Sequence, residues 1–95
     1  MELEWDEVKR LETLRVRGLD FADVANFDAD SLETNEDRRA DYGELRFNVV
    51  GFLEGVLCTY CWTPRGDKMR IISMRKINER ERKGYKGASG RPSDA

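Results

Sequence analysis

The fold turns on one stretch, RIISMRKINERERKGY, Arg70–Tyr85. Its first half sets Ile71, Ile72 and Met74 in a run that reads as a buried strand. From about Arg75 to Tyr85 the pattern changes period and predicts a helix, with Ile77, Glu81 and Tyr85 on one face at i, i+4 and i+8. A strand passing directly into a charged helix near the end of a 95-residue chain describes one small domain. The domain is expected to span residues 1–86, followed by a flexible Gly/Ser/Pro-rich tail, 87–95.

Upstream of this block the strand signals come close together. ELRFNVVGF (44–52) sets Leu45, Phe47 and Val49 against Arg46, Asn48 and Val50, and VLCTYCWT (56–63) is strongly strand-like. Glu54-Gly55 and PRGD (64–67) are turn signals, so these two segments and KMRIISMR (68–75) predict an antiparallel meander with short connections. Towards the N-terminus, LEW (3–5) reads as an edge strand, and Asp6 caps a helix in which Val8, Leu11 and Leu14 share a face. Gly18 stands where that helix should end, and Asp20 opens a shorter one carrying Phe21, Val24 and Ala25. ADSLETNEDRRADY (29–42) predicts a brief strand around Leu32 and then a charged loop. The expected class is α+β: a helical hairpin packed on an antiparallel meander, with a C-terminal helix.

Charge is divided unevenly along the chain. Residues 1–64 carry 7 Lys and Arg against 15 Asp and Glu, whereas residues 65–95 carry 10 against 4. The net of −2 therefore hides about −8 on one part and +6 on the other. Two readings follow: an anionic partner for the basic third and a basic partner for the rest, or two halves that attract each other across a solvated surface. No leader-like or membrane-spanning pattern is present, and a cytoplasmic location is expected.

Histidine is absent, which removes Ser-His-Asp and Cys-His triads and any nuclease built on imidazole acid and base. Cys58 and Cys61 have C-x-x-C spacing, but on a strand their sulfurs point to opposite faces, and no second pair exists to complete a zinc site. No phosphate-binding glycine loop occurs, and no cofactor or metal is expected. Arginine remains. Arg46, Arg65, Arg70 and Arg75 lie on or just beyond neighbouring strands, with Arg80 and Arg82 on the helix that follows. Guanidinium groups bind phosphate bidentately and stay charged, so the cluster suits a phosphodiester; the alternative is pairing with Glu44, Glu79 and Glu81. Regular alternation would put Arg70 and Arg75 on opposite faces, unless the strand bulges or ends near Met74.

Three blocks, EWDEVKRLETLRVRGLDFADV (4–24), DYGELRFNVVG (41–51) and TPRGDKMRIISMRKINERERKGY (63–85), carry a family resemblance. The chain resembles the BrnT toxins of type II toxin–antitoxin systems. That resemblance implies a small RelE-like fold and a metal-independent endoribonuclease that cleaves RNA and inhibits translation under stress. It also implies neutralisation by a cognate BrnA-like ribbon-helix-helix antitoxin, through which the complex contacts operator DNA. Carried over by motif, Arg65 and Arg75 would stabilise the phosphorane oxyanions, and Glu81 or Tyr85 would move the proton of the 2′-hydroxyl. Lys9, Arg46, Arg70 and Arg80 would bind RNA phosphates. One departure is visible: many members have Lys-His-Gly where this chain has Val16, Arg17 and Gly18. The alternative function is a catalytically degenerate toxin that binds antitoxin as a co-repressor.

Overall fold

The computed structural model describes residues 1–39, 41 and 43–85; the expected tail, 87–95, lies outside the described residues. Five strands, β1 (Glu2–Trp5), β2 (Glu33–Glu36), β3 (Phe47–Leu53), β4 (Val56–Arg65) and β5 (Lys68–Lys76), form one sheet in the order β1-β5-β4-β3-β2. The meander β3-β4-β5 is antiparallel, β2 adds antiparallel to β3, and β1 runs parallel to β5. The sheet is therefore mixed.

This overturns the expected helical hairpin on a purely antiparallel meander. Among the described residues, only one helix of length precedes the meander: α1 (Glu7–Arg17), capped by the Asp6 carboxylate and closed by Gly18. The second expected helix is a 3₁₀ segment, Phe21–Asn26, followed by another 3₁₀ turn at Ala29–Ser31. Nor does α1 pack as its apolar spacing predicts. None of its residues is buried, and Val8, Leu11 and Leu14 are 77%, 51% and 40% exposed. Polar groups hold it instead: Arg10 pairs with Asp20 at 3.1 Å, and Arg17 donates to the Met74 carbonyl at 2.9 Å. Periodicity locates an apolar stripe but does not say whether the stripe faces the sheet.

Register assigns the two faces. One carries Val49, Leu53, Cys58, Tyr60, Ile71 and Met74, covered by Leu19, Phe21, Val24 and Phe27 from the 3₁₀ layer; this is the main core. Leu3 and Trp5 of β1 extend it beside Met69 and Trp62. The opposite face is apolar only at one end, where Phe52, Leu57 and Tyr85 are buried together with Val50 and Ile77 packed against them. The Glu54-Gly55 turn has positive φ at both residues, 49° and 82°, the twist that a tight two-residue hairpin requires.

The terminal helix is shorter than its periodicity suggests. β5 continues through Lys76, and α2 covers only Glu79–Lys83. Asn78 starts it with a capping box closed by Glu81. Tyr85 anchors its far end, stacking edge-on against Phe52 with ring centroids 6.0 Å apart, while the Arg82 guanidinium lies 5.8 Å from the centre of the same ring.

Candidate functional site

One irregularity in the ladder decides which side chains share the exposed face. Cys61 pairs with Ser73, but Trp62 pairs with Ile71, so Ile72 is an extra residue in β5. Beyond this bulge the parity of β5 is reversed. Arg75 faces the same way as Thr59, and Arg70 the same way as Thr63; Thr59 and Thr63 are four apart on a regular β4, so all four lie on one face. A regular strand would have sent Arg70 into the main core.

On that face lies a groove of about 360 Å³. Its floor is Asn48, Val50, Thr59, Cys61 and Ser73; one wall is α2 with Glu81, and the other holds Asn35 and Arg39. Arg75 enters from β5 and makes two hydrogen bonds of 2.7 Å to the Glu81 carboxylate. Glu81 accepts these and one from the Asn78 backbone N–H, and its pKa is held down to about 2, chiefly by Arg75. Arg75 is raised above its ordinary value by the same bonds, against the opposing effects of burial and the Arg39 charge. Two guanidinium groups thus converge on one groove. Arg39 is itself oriented by Asp37, whose side chain is 1% exposed and accepts from Arg39 at 2.9 and 2.8 Å. That pairing holds the Asp37 carboxyl well below its usual range.

A second concavity, a cleft of about 160 Å³, opens further along the same face. Lys9 from the first turns of α1, Arg46 from the loop before β3, Arg65 at the end of β4 and Arg70 on β5 all line it. Thr63, 1% exposed, donates to the Leu45 carbonyl at 2.6 Å and so ties that loop to the sheet. Asp6 and Glu44 line the cleft beside these cations. Glu44 contacts Arg46 at 3.0 Å and Arg65 at 3.9 Å, and Glu4 of β1 accepts from Arg70 at 2.9 Å.

Most of the sequence-derived residues thus fall into two groups on one face. Arg75, Glu81 and Tyr85 line the groove, and Lys9, Arg46, Arg65 and Arg70 meet in the cleft. Arg65 and Arg75 do not share a pocket: six residues of β4 separate Arg65 from Thr59, the partner of Arg75, or about 20 Å at 3.3 Å per residue. Arg80 is exposed on α2 and lines neither concavity. Tyr85 is 5% exposed and commits its hydroxyl proton to the Ser31 carbonyl, which makes it an anchor for α2. Cys58 and Cys61 are free thiols on opposite faces, Cys58 in the core and Cys61 in the groove floor, where burial raises its pKa.

Sequence reasoning missed Arg39, Asn35 and Asn48. Arg39 lay in a segment read only as a charged loop. The two asparagines become direct cross-strand neighbours only once β2 pairs with β3. An Asn in a strand-like run, with its side chain opposite to the apolar set, was the available signal for Asn48.

The family whose profile matches residues 5–81 is described as ribonuclease toxin, BrnT, of type II toxin–antitoxin systems. That match covers most of the chain, and the protein belongs to this family. A cognate antitoxin is the partner that membership implies. No match was found among curated proteins. Among the described residues, no helix is long and apolar enough to cross a membrane.

Proposed function

We propose that the chain is a metal-independent endoribonuclease whose groove, centred on Arg75 and Glu81, cleaves RNA in the cytoplasm and thereby inhibits translation. The observation that carries this reading is the bidentate Arg75–Glu81 pair at the wall of a polar groove, with Arg39 opposite. A scissile phosphate entering the groove exchanges for Glu81 on the Arg75 guanidinium, since both are bidentate acceptors. The released carboxylate regains basicity as its strongest partner is withdrawn. It then takes the proton of the 2′-hydroxyl, whose oxygen attacks the adjacent phosphorus. The bond to the 5′-oxygen breaks, that oxygen takes a proton from water, and the products end in a 2′,3′-cyclic phosphate and a 5′-hydroxyl. Arg75 and Arg39 offset the charge that builds on the phosphorane oxygens, the kind of preorganised help that often dominates a rate enhancement. Even after release a carboxylate is a weak base at neutral pH, so turnover is slow.

A ribbon-helix-helix antitoxin would neutralise the toxin and carry the complex to operator DNA. The competing reading, a degenerate toxin serving as co-repressor, drew on Arg17. That side chain bridges α1 to the Met74 carbonyl and lines neither groove nor cleft, which favours the catalytic reading.

The test is incubation of the purified, antitoxin-free chain with single-stranded RNA in excess chelator. Cleavage with cyclic-phosphate and 5′-hydroxyl ends is the expected result. Cleavage abolished by chelator, or absent while tight antitoxin binding persists, overturns the proposal, and the latter outcome points to the co-repressor.

A further inference from the structure

The Ile72 bulge does more than expose Arg70. It aligns a groove and a cleft along one strand direction, and the strand supplies the ruler. Thr59 opposes Arg75 and Thr63 opposes Arg70, so the two basic centres are four residues, or about 13 Å, apart along β4. A stacked nucleic-acid strand advances about 3.4 Å per nucleotide. The gap therefore corresponds to about four stacked nucleotides, and to fewer in an extended strand.

We propose that these are two phosphate subsites of one binding track, and that the substrate is a single-stranded RNA segment long enough to occupy both. This rests on the ribonuclease reading of the groove and adds to it the length and strandedness of the RNA. Arg75 and Arg39 form the subsite for the reacting phosphate, and Arg65, Arg70, Arg46 and Lys9 form the distal one. Two features argue for a single strand. The groove floor lies between α2 and β2 and offers about 360 Å³, room for a splayed nucleotide and not for a duplex. Asn35 and Asn48 stand directly opposite each other in its lining, so two carboxamides, that of Asn48 also bonded to Asp37, border the space where an unstacked base would sit. Between the two centres Cys61 and Thr63 are buried, Thr63 beneath the Leu45 carbonyl, so a backbone passing from one subsite to the other crosses the loop before β3, where Arg46 lies. The distal cations are shared with Glu44 and Glu4, which keeps that subsite weak for a lone phosphate and makes it effective only on a strand already held in the groove.

The experiment measures binding, so it does not depend on catalysis. Fluorescently labelled 2′-O-methyl oligouridylates of two, four and six nucleotides, which cannot be cleaved, are titrated by anisotropy against the wild type and Arg65→Ala. Arg65 is suited to the test because its side chain is 55% exposed and its ion pair is long, at 3.9 Å. Affinity is expected to rise between two and six nucleotides. Arg65→Ala should lower the ratio of hexamer to dimer affinity and reduce the hexamer's salt slope by about 0.7, the loss of one single-strand phosphate contact. Equal affinity for dimer and hexamer overturns the inference, as does an Arg65→Ala effect of the same size on both. A duplex hexamer that binds as tightly as the single strand overturns it too. If unmodified RNA is not cleaved while this length dependence holds, the ribonuclease reading fails and the binding track stands.

Discussion

Replacing Arg75 separates chemistry from stability, because the geometry sets very different magnitudes for the two. The Arg75–Glu81 pair is bidentate at 2.7 Å, but its side chains are 46% and 34% exposed. An ion pair in that setting contributes at most about 1 kcal/mol to folding. In a domain of this size that corresponds to a fall in Tm of roughly 4–8 °C at most. Its proposed catalytic part is far larger. Losing one preorganised donor to a developing oxyanion costs about 100- to 1,000-fold in kcat. Arg75→Ala should therefore melt within a few degrees of the wild type and cleave a fluorogenic single-stranded RNA at least about 100-fold more slowly. The charge swap Arg75→Glu with Glu81→Arg completes the argument. It restores an ion pair between β5 and α2, and with it the melting temperature, but moves the guanidinium to the helix and should leave cleavage low. Single-turnover kinetics on a non-limiting substrate, with melting followed by circular dichroism, reads both quantities. An Arg75→Ala variant within about tenfold of wild-type kcat, or a swap that recovers activity along with stability, refutes the reasoning.

Three further outcomes are expected. Tyr85→Phe leaves the Ser31 carbonyl without its buried donor and should cost about 1 kcal/mol in urea melts, while RNA cleavage by the folded fraction stays near the wild-type rate. Gly51→Ala places a methyl 2.7 Å from Leu32 Cδ2 and 2.9 Å from Ser31 Oγ, the hydroxyl that accepts from the Phe52 N–H; a loss of roughly 1–3 kcal/mol should appear in the same assay, and an unchanged midpoint would contradict this packing. The Glu81 carboxyl is held at about 2 when folded against 4.5 when unfolded, so its stabilising effect is complete above pH 4.5 and disappears as pH falls towards 2. Melts between pH 5 and 2 should accordingly decline less steeply for Glu81→Gln than for the wild type, with part of the slope remaining because Asp37 is also held low.

Local rules made much of this architecture readable. Asp6 announced α1, and Glu54-Gly55 and Pro64–Asp67 the two hairpin turns, because each acts on backbone within a few residues; Asp20 marked the start of a segment that is 3₁₀ and not the expected helix. What escaped was long-range. Nothing in Leu3–Trp5 reveals that its partner is Met69–Ile71 running parallel. The direction in which Val8, Leu11 and Leu14 face depends on which side of α1 meets β5, and there Arg17 wins through its bond to the Met74 carbonyl. The bulge is also a property of two strands at once. In RIISMR the doubled Ile71-Ile72 breaks the alternation, but only the pairing against Cys61 and Trp62 places the extra residue at Ile72. For the site, the arginines were visible as a class of chemistry, and the register decided their grouping. Arg65 parted from Arg75 and joined Arg70, while Arg39 entered the groove from a segment with no periodicity of its own.

Binding of RNA on the exposed face of the sheet underlies both the proposed cleavage and the proposed track. Its most direct test follows side-chain signals by NMR, the Asn Nδ2 and Arg Nε groups, while a non-cleavable hexanucleotide is added to the isotopically labelled chain. Asn35, Asn48 and Arg75 should shift together with Arg65 and Arg70, leaving Arg10, paired with Asp20, and Arg17, bonded to the Met74 carbonyl, unmoved. Perturbation confined to Arg10 and Arg17, or to the groove without the cleft, would contradict a continuous track across the exposed face.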